Sequence, residues 1–256
     1  MRIVQLSDLH LRDGPLYSGV DPWLAWNHAL SRVAGLLPRP ELLLLSGDLA
    51  DDGLPDTYRR LAASLGESGI DFAVLPGNHD QRQALRAAFP AQPWAHPFLA
   101  CQRVDRGDCS LLLLDTLIPG CEAGELSVEQ LAWLDDNCPT GRRTIIVMHH
   151  PPFAVGIEGM DRIACAGGER LAQWLAGRPQ VEALLCGHVH RHVTSSFAGR
   201  LALTAPSTVH QIALQDGPLA WTCEPGAMLV HDWLPGQPLR THYLPLLAAP
   251  VVVYAD

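Results

Sequence analysis

The sequence predicts an α/β fold in which two packed β-sheets are flanked by helices. Three observations lead to this prediction. The first half of the chain alternates strand-like apolar runs with amphipathic helical patterns, which is typical of parallel βαβ units. From about residue 192 onward, short strand-like runs are separated by Gly and Pro turns, which favours antiparallel pairing. Apolar runs also end repeatedly in Asp, Asn or His, as strands do when they deliver polar side chains to the rim of a sheet.

The first half of the chain contains repeated strand–helix pairs. The first helix has Asp21 as its N-cap and Pro22 in its first turn, and apolar residues follow at helical spacing. Parallel strands of this kind are expected to carry helices on both faces. In chain order we predict a strand at 2–6, a helix at about 22–37, a strand at 41–46, a helix near 55–68, a strand near 71–75 and a helix from about Asp80.

The second half combines buried strands with one capped helix. Ser127 and Gln130 have the spacing of a capping box at the start of a helix near 127–138. Residues 153–168 form a long insertion before the next helix, and we expect it to wall a binding pocket and to contribute to a dimer contact. The C-terminal strands are a second candidate for a cap or a dimer contact. Strands are predicted at 110–115, 143–148, 181–186, 192–197, 200–205, 208–214, 227–231 and 240–244.

Composition limits the class of protein. With 256 residues, 48% of them hydrophobic, the chain can bury one large core, so we expect a single domain over residues 1–256. The formal net charge of −9 and the lack of basic runs exclude a surface for a nucleic-acid polymer. The seven cysteines form no C-x-x-C pair, and neither a signal peptide nor a membrane span is recognisable. We therefore expect reduced thiols, no membrane association and a cytoplasmic location.

Two of the polar blocks place carboxylates after strands. Asp8 and His10 occupy alternate positions, so an extended backbone would point both side chains to the same side, as one metal ion requires. A surface turn with a capping Asp is the alternative. Gly47 allows a tight exit from the Leu-rich strand and leaves the Asp48 carboxylate free to reach two ions. A cap for the next helix is the alternative there.

The third block, Gly77–Asp80, follows a strand and a proline. It presents the amide oxygen of Asn78 and the imidazole of His79 in succession. A turn of this kind also favours Asn because Asn tolerates the left-handed backbone conformation. The presence of the other blocks of Asp and His after strands favours the metal-binding interpretation of Gly77–Asp80.

The last two blocks are rich in histidine. Gly187–His190 repeats the alternate spacing, so His188 and His190 would face the same way in an extended backbone. His149 and His150 are adjacent and would face opposite ways, so only one of them should be a metal ligand.

The donors in these blocks are oxygen and imidazole atoms without any thiolate. Such a set suits two borderline-hard divalent ions, for which Mn, Fe, Zn and Co are the candidates. Two ions about 3.5–4 Å apart lower the pKa of a bridging water and supply hydroxide near neutral pH, as in a two-metal hydrolase. A non-catalytic interaction module is the alternative class, but it would not need so complete a donor set.

Together, and in this order, the blocks resemble the calcineurin-like metallophosphoesterase superfamily over residues 2 to about 232. The resemblance implies a four-layer αββα sandwich of two mixed sheets flanked by helices. It also implies that Asp48 bridges two ions. One ion would be held by Asp8, His10, Asp48 and His190, and the other by Asp48, Asn78, His149 and His188.

Within the superfamily, the chain resembles the bacterial class III cyclic-nucleotide phosphodiesterases and the related glycerophosphodiesterases. Pro206–Gln211 contributes to that impression, while Met160–Cys165 favours the second branch. We expect hydrolysis of a small phosphodiester, first a 3',5'-cyclic nucleotide (cyclic AMP to AMP) and alternatively a glycerophosphodiester. A nuclease would show a basic DNA-facing surface, which this acidic chain lacks. A protein phosphatase is a weaker option.

The resemblance also assigns residues to the substrate. His79 would lie beside the phosphate and stabilise the transition state or protonate the departing alkoxide. The alternative is a hydrogen-bond donor that does not touch the substrate. We predict His79 and Asn78 as catalytic residues. Candidate substrate contacts are Arg12, His150 and His210, with His150 a wall residue rather than a ligand.

Overall fold

The computed structural model describes residues 1–254 and contains two large mixed β-sheets. The strands are β1 (Arg2–Leu6), β2 (Leu42–Ser46), β3 (Phe72–Leu75), β4 (Gln102–Arg106), β5 (Cys109–Leu114), β6 (Gly124–Glu125), β7 (Arg143–Met148), β8 (Cys165–Ala166), β9 (Val181–Cys186), β10 (Val193–Phe197), β11 (Arg200–Thr204), β12 (Gln211–Ile212), β13 (Trp221–Thr222), β14 (Ala227–Asp232) and β15 (Arg240–Pro245). The helices are α1 (Pro22–Ala34), α2 (Pro55–Ser68), α3 (Arg82–Ala88), α4 (Val128–Asn137), α5 (Glu158–Asp161) and α6 (Gly168–Ala176).

The first sheet has the strand order β15-β14-β1-β2-β3, and the second has the order β10-β11-β9-β7-β5-β4. The strands β1, β2 and β3 are parallel to one another, as are β5, β7, β9 and β11. The strands β14, β15, β10 and β4 pair antiparallel with their neighbours. The mixed pairing confirms the expected change from parallel to mostly antiparallel strands along the chain.

Three apolar clusters separate the four layers. Trp26 of α1 and Tyr58 of α2 pack with Leu45 of the first sheet. Ile3 and Ile145, which belong to different sheets, share the cluster between the sheets. The third cluster joins the second sheet to α4 and α6 through members such as Ile146, Trp133 and Trp174. The fold class of a four-layer αββα sandwich is therefore confirmed.

The expectation of helices on both faces of each sheet is wrong. Each sheet carries helices on its outer face only, because its inner face packs against the other sheet. A strand that is apolar on both faces shows the same continuous hydrophobic run whether a helix or a second sheet covers it. The sequence pattern of the parallel strands does not distinguish these two arrangements.

Several element boundaries differ from the prediction for local reasons. Helix α1 ends at Ala34 rather than near 37, with Gly35 as its C-cap. The predicted caps are confirmed, since Asp21 accepts from backbone N–H groups and Ser127 forms a capping box with Gln130. The strand predicted over 208–214 is reduced to β12, and β4 and the two-residue strands β6, β8 and β13 were not predicted.

The insertion at 153–168 contains α5 and ends in β8, which pairs with β6. Its residues Ile157 and Met160 pack against Val189, between two of the predicted ligands. Strand β15 forms one edge of the first sheet, and residues 251–254 beyond it are exposed.

Candidate metal centre

The predicted ligands come together at one edge, where the two sheets meet. We call the ligands that follow β1, β2 and β3 the first wall (Asp8, His10, Asp48 and Asn78). We call those that follow β7 and β9 the second wall (His149, His188 and His190). Asp8, His10, Asp48 and His190 bring their donor atoms within 4.8 Å of one another. His149 Nε2 lies 3.4 Å from Asp48 Oδ2, so the two walls are in contact.

The backbone at these ligands is left-handed. Among residues 1–254, six residues other than glycine have positive φ, and five of them are predicted ligands. The expected extended backbone at the two alternate-position pairs is therefore wrong. A left-handed residue costs about 1–2 kcal/mol, and such strain persists where the surroundings impose it. The five are Asp8 (54°), His10 (47°), Asp48 (50°), His188 (69°) and His190 (48°).

Backbone hydrogen bonds hold the first wall in this conformation. The N–H of Asp8 donates to the carbonyl of Gly47 at 3.0 Å, and the N–H of His10 donates to that of Asp48 at 2.9 Å. A Cβ atom on Gly47 would lie 2.2 Å from His149 Nδ1. The glycine before Asp48 is thus required by the close approach of the second wall, as well as by its φ of 104°.

His10 of the first wall and His190 of the second wall point the lone pairs of their Nε2 atoms at each other. His10 donates from Nδ1 to the carboxylate of Asp51 at 3.2 Å, and His190 donates from Nδ1 to the carbonyl of His210 at 3.2 Å. Each ring therefore has its lone pair on Nε2, and these two Nε2 atoms lie 3.0 Å apart. Two lone pairs at this distance repel each other unless a cation lies between them. The arrangement fits a metal ion.

His149, His188 and Asn78, which the resemblance assigns to the other ion, also present nitrogen or oxygen atoms that can bind a metal. His149 donates from Nδ1 to the carbonyl of Ser46 at 2.8 Å, which leaves its Nε2 buried without a partner. His188 donates from Nε2 to the carbonyl of Ile163 at 3.1 Å, so its Nδ1 carries the lone pair. Asn78 Oδ1 is likewise buried without a partner among the residues described. Buried polar atoms are normally paired, so these unpaired atoms fit the donor set of a metal-binding site.

The pKa values of the buried acids and histidines also favour the binding of a cation at the centre. Burial raises the pKa of Asp8 to about 6. Burial opposes a charge on His149, but Asp48 and Asp8 outweigh it and raise the pKa of His149 to about 9. The pKa of Asp48 lies well below its usual value despite burial, because His149 and His10 are close. A pocket that draws a proton onto a buried imidazole attracts a cation to the same position.

His150 differs from its neighbour His149 in its hydrogen bonds. It lies within 4.8 Å of His149 and His188. Both of its ring nitrogens are already engaged, however, with the hydroxyl of Thr116 at 2.8 Å and the carbonyl of Glu122 at 3.1 Å. Both nitrogens of His150 are used in these hydrogen bonds, whereas His149 Nε2 has no partner among the described residues.

At the mouth of the centre lies a carboxylate that sequence reasoning did not assign to the site. Asp51 accepts from His10, and it accepts from Arg12 Nη1 at 3.1 Å. His79 Nδ1 lies 3.5 Å from the same carboxylate, and its side chain is 41% exposed. The sequence predicted no role for Asp51. The signal that could have found it is its position after Asp48, on the loop that carries the bridging candidate.

His210 is held away from the ligand positions. Its Nε2 pairs with the hydroxyl of Tyr17 at 2.6 Å, and its ring packs edge-on to that of Tyr17 with centroids 5.1 Å apart. The ring centroids of His210 and His190 are 4.8 Å apart, which places His210 beside the centre. Trp221 completes an aromatic group on this side, 5.4 Å from the Tyr17 ring.

The buried carboxylate of Asp80 supports the first wall from behind. It accepts hydrogen bonds from the backbone N–H groups of Leu49, Ala50 and Gly77, and from the hydroxyl of Tyr58 at 2.8 Å. One side chain therefore ties the loop that carries Asp48 to the loop that carries Asn78. Because the Asp80 carboxylate already accepts from these backbone N–H groups, it does not cap a helix, and α3 begins after Asp80 rather than at it.

A cleft of about 620 Å³ opens beside Asn78. Arg82 and Arg86 of α3 line one side, and Phe98 and Leu117 are also among the lining residues. Arg82 is paired with Asp115, whereas Arg86 donates only to the carbonyls of residues 97 and 99 among the hydrogen bonds of the described chain.

Comparison with known proteins identifies the family. A model of the family described as calcineurin-like phosphoesterase matches residues 1–192. The chain belongs to the calcineurin-like phosphoesterase family. The recognised superfamily is thus confirmed, and the clustered Asp and His side chains are compatible with the dinuclear divalent metal centre of this family.

Named relatives are similar over most of the chain. A "Probable glycerophosphodiester phosphodiesterase GpdQ" from Arcobacter nitrofigilis is 35% identical over 254 residues, covering 94% of this chain and 92% of the relative. The "3',5'-cyclic adenosine monophosphate phosphodiesterase CpdA" of Pseudomonas aeruginosa is 36% identical over 218 residues, covering 82% and 77%.

The fold has counterparts among solved structures. A dimetal phosphatase from Danio rerio superposes with a TM-score of 0.71 at 16% identity, covering 96% of each chain. Within residues 1–254, no helix is both long and apolar enough to cross a membrane.

Proposed function

We propose that this protein is a metal-dependent phosphodiesterase that hydrolyses a small phosphodiester, with 3',5'-cyclic AMP as the first candidate. One observation carries this proposal: buried nitrogen and oxygen atoms that can bind a metal converge here, with His10 Nε2 only 3.0 Å from His190 Nε2. His149 Nε2 and Asn78 Oδ1 have no hydrogen-bond partner among the residues described. Relatives with phosphodiesterase names align over most of the chain. The family and the donor set together favour hydrolysis at phosphorus over an interaction module.

The proposed ligands form two sets of four residues, one set for each ion. We propose that Asp48 faces both ions and that the all-oxygen-and-nitrogen set selects Mn, Fe, Zn or Co. Bound divalent ions would lower the pKa of water and supply hydroxide near neutral pH. One ion is assigned to Asp8, His10, Asp48 and His190, and the other to Asp48, Asn78, His149 and His188.

The remaining residues at the opening of the centre are assigned to substrate binding and to stabilisation of the leaving group. His79 is reachable from solvent and follows Asn78 directly, so a phosphate bound at the centre can lie against its imidazole. From there the ring can donate a proton to the departing alkoxide or stabilise charge on phosphate oxygens. Arg12, on the rim, is a candidate phosphate contact whose orientation is set by Asp51. His210 lines the opposite side, next to His190.

The cleft beside Asn78 supports a nucleotide as the substrate. Its volume of about 620 Å³ is within the range of small-molecule sites, roughly 300–1,000 Å³. Phe98, 76% exposed on the cleft wall, offers a face on which a base can stack. A glycerophosphodiester is the second candidate, because the Arcobacter relative aligns with 94% of this chain.

The insertion and the cysteines suggest further properties. The carbonyl of Ile163 accepts from His188, which supports the insertion as a wall of the substrate pocket. We propose that the insertion also contributes to a homodimer. Light scattering of the intact protein and of a variant lacking residues 155–162 tests the dimer. All seven cysteines are free in the structure, which supports a cytoplasmic location.

The decisive experiment assays protein that has been stripped with a chelator and reloaded separately with Mn, Fe, Zn or Co. The substrates are cyclic AMP, glycerophosphoethanolamine, bis(p-nitrophenyl) phosphate and p-nitrophenyl phosphate. We expect two metal equivalents per chain, no activity before reloading, and higher kcat/KM for the diesters than for the monoester. Full activity after complete metal removal, or a preference for the monoester, would contradict the proposal.

A further inference from the structure

A buried amide connects the ends of two strands that lie just before ligands of the two walls. Gln5 lies on β1, fully buried, on the face that packs against the second sheet. Its Nε2 donates to Ser46 Oγ at 2.8 Å and to the carbonyl of Cys186 at 3.0 Å. Ser46 is the last residue of β2 and Cys186 is the last residue of β9, so one side chain reaches the ends of strands in both sheets.

These two strand ends are the points from which the ligand loops depart. Gly47 and Asp48 follow Ser46, and the segment 187–190 follows Cys186. The sheets are in close contact here, since a Cβ atom on Gly187 would lie 2.8 Å from the carbonyl oxygen of Ser46. The same carbonyl accepts from His149 Nδ1 at 2.8 Å. The position of Ser46 relative to Cys186 therefore determines how far apart the two walls stand.

Chemistry fixes the orientation of the amide. The Cys186 carbonyl can only accept, so the nitrogen of Gln5 must face it and Oε1 must face the other way. Oε1 lies 3.1 Å from His231 Nε2, which must then carry a hydrogen. His231 Nδ1 is left to accept from the hydroxyl of Thr241 at 2.8 Å. Burial lowers the pKa of His231 to about 3, which keeps the ring neutral as this pattern requires.

We propose that Gln5, oriented by His231, is a positioning residue that sets the separation of the two walls and thereby tunes metal affinity. The inference rests on the proposed metal centre. It adds a contact that spans 181 residues of sequence and lies outside the ligand blocks. Groups that hold metal ligands in place typically change metal affinity about 10–100-fold when they are lost.

The chain offers a matched control in Gln102. This glutamine is also fully buried, and its Nε2 donates from β4 of the second sheet to the carbonyl of Val74 in β3 of the first, at 2.5 Å. Both glutamines therefore make a buried bond between the sheets. Only the Gln5 bonds end on the residues immediately before the ligand loops. A merely structural role predicts the same behaviour for both.

The test compares Gln5→Met with Gln102→Met in full-length protein stripped of metal. Titration with Co²⁺ alone gives the affinity and the visible absorption spectrum, which reports ligand geometry without substrate. Urea unfolding of the stripped proteins measures the structural cost, which should be similar for the two variants. We expect Gln5→Met to weaken Co²⁺ binding about 10–100-fold, to change the spectrum and to lower kcat more than it raises KM. Gln102→Met should change Co²⁺ affinity less than about 3-fold.

Equal Co²⁺ affinity and spectra for wild type and Gln5→Met would overturn the inference, as would equal losses in both variants. If Gln5→Met does not fold, His231→Leu carries the same test, because it removes the donor that orients the amide. A smaller shift in the same direction is then expected, and an unchanged affinity overturns the inference. Failure of the wild-type protein to bind Co²⁺ would instead contradict the proposed metal centre.

Discussion

The two walls of the centre differ in charge and in how their side chains are held. The first wall supplies both ligand carboxylates, and Asp51 and Asp80 lie on the same loops. The second wall supplies imidazoles only. Side-chain carboxylates support the first wall, whereas the backbone carbonyls of Ser46 and Ile163 orient His149 and His188. Negative charge thus comes from one sheet and most nitrogen donors from the other.

This division means that neither sheet can form the centre alone. The first wall can attract cations but leaves positions unfilled, and the second wall has donor atoms but little charge to hold a divalent ion. We therefore expect substitutions in the first wall to reduce metal binding and activity, and we expect the reduction to be smaller the farther the residue lies from the contact between the walls. In the second wall, by contrast, main-chain carbonyls orient the rings of His149 and His188, and exchanging a side chain does not remove these carbonyls.

The largest effect is expected from Asp48→Asn. This carboxylate is the point where the walls meet, 3.4 Å from His149 and 3.7 Å from His10, so its loss removes charge from both ion positions. We expect kcat/KM to fall by about 10³-fold or more, which corresponds to several kcal/mol of transition-state stabilisation. Metal content measured by plasma mass spectrometry should fall from two equivalents. Asp71→Asn, on an exposed carboxylate, is the control; retention of two ions by Asp48→Asn would show that the walls bind metal independently.

The next effect is expected from His79→Ala. The side chain lies at the open end of the first wall, outside the ligand groups, so metal content should not change. We expect kcat to fall about 10²-fold, within the range for a positioned acid or base. The loss should be smaller for bis(p-nitrophenyl) phosphate than for cyclic AMP, because nitrophenolate leaves without needing a proton.

His28→Ala, on the exposed face of α1, serves as the control for His79. An equal loss of kcat for both substrates would favour charge stabilisation over proton donation. Loss of metal from His79→Ala would place this residue in the ligand set and contradict the assignment.

The walls show which features of the site could be predicted from sequence. The ligands are visible because each follows a buried strand directly, and the strand pattern is local. The left-handed backbone at Asp8 and His190 is not visible, because it results from contact between the loops. Asp51 resembles any loop carboxylate until its distance to His10 is known. Gln5 is one polar residue in an apolar strand, and its partner Cys186 lies in the other sheet.

The fold was predictable to a similar depth. Strand order and the packing of one sheet on the other depend on contacts between distant segments, which the periodicity of a strand does not encode. The family resemblance supplied the four layers, whereas the periodicity alone suggested helices on both faces. Boundaries changed where a side chain took up backbone groups, as Asp80 does before α3.

A moderate effect is expected from Asp51→Asn. An amide at this position can donate to His10 Nδ1, which would move the ring hydrogen to Nε2 and remove the lone pair that faces the centre. We expect metal affinity, measured by Co²⁺ titration, to fall about 10–100-fold. The adjacent Asp52→Asn is a close control, since Asp52 accepts from Leu54 N–H and Thr57 at the start of α2. Equal behaviour of the two variants would mean that Asp51 does not orient His10.

The smallest effect on activity is expected from Tyr58→Phe, which tests how far the first wall supports itself. The hydroxyl donates to Asp80 and accepts from the N–H of Gln81, both at 2.8 Å. Its removal should lower the free energy of unfolding by about 1–2 kcal/mol, measured with urea on stripped protein, with the exposed Tyr243→Phe as control. Three backbone N–H groups still bind Asp80, so kcat/KM and metal content should change less than about 3-fold. A tenfold loss of metal affinity would instead show that the loops of Asp48 and Asn78 depend on this tyrosine, and that the first wall is no more self-supporting than the second.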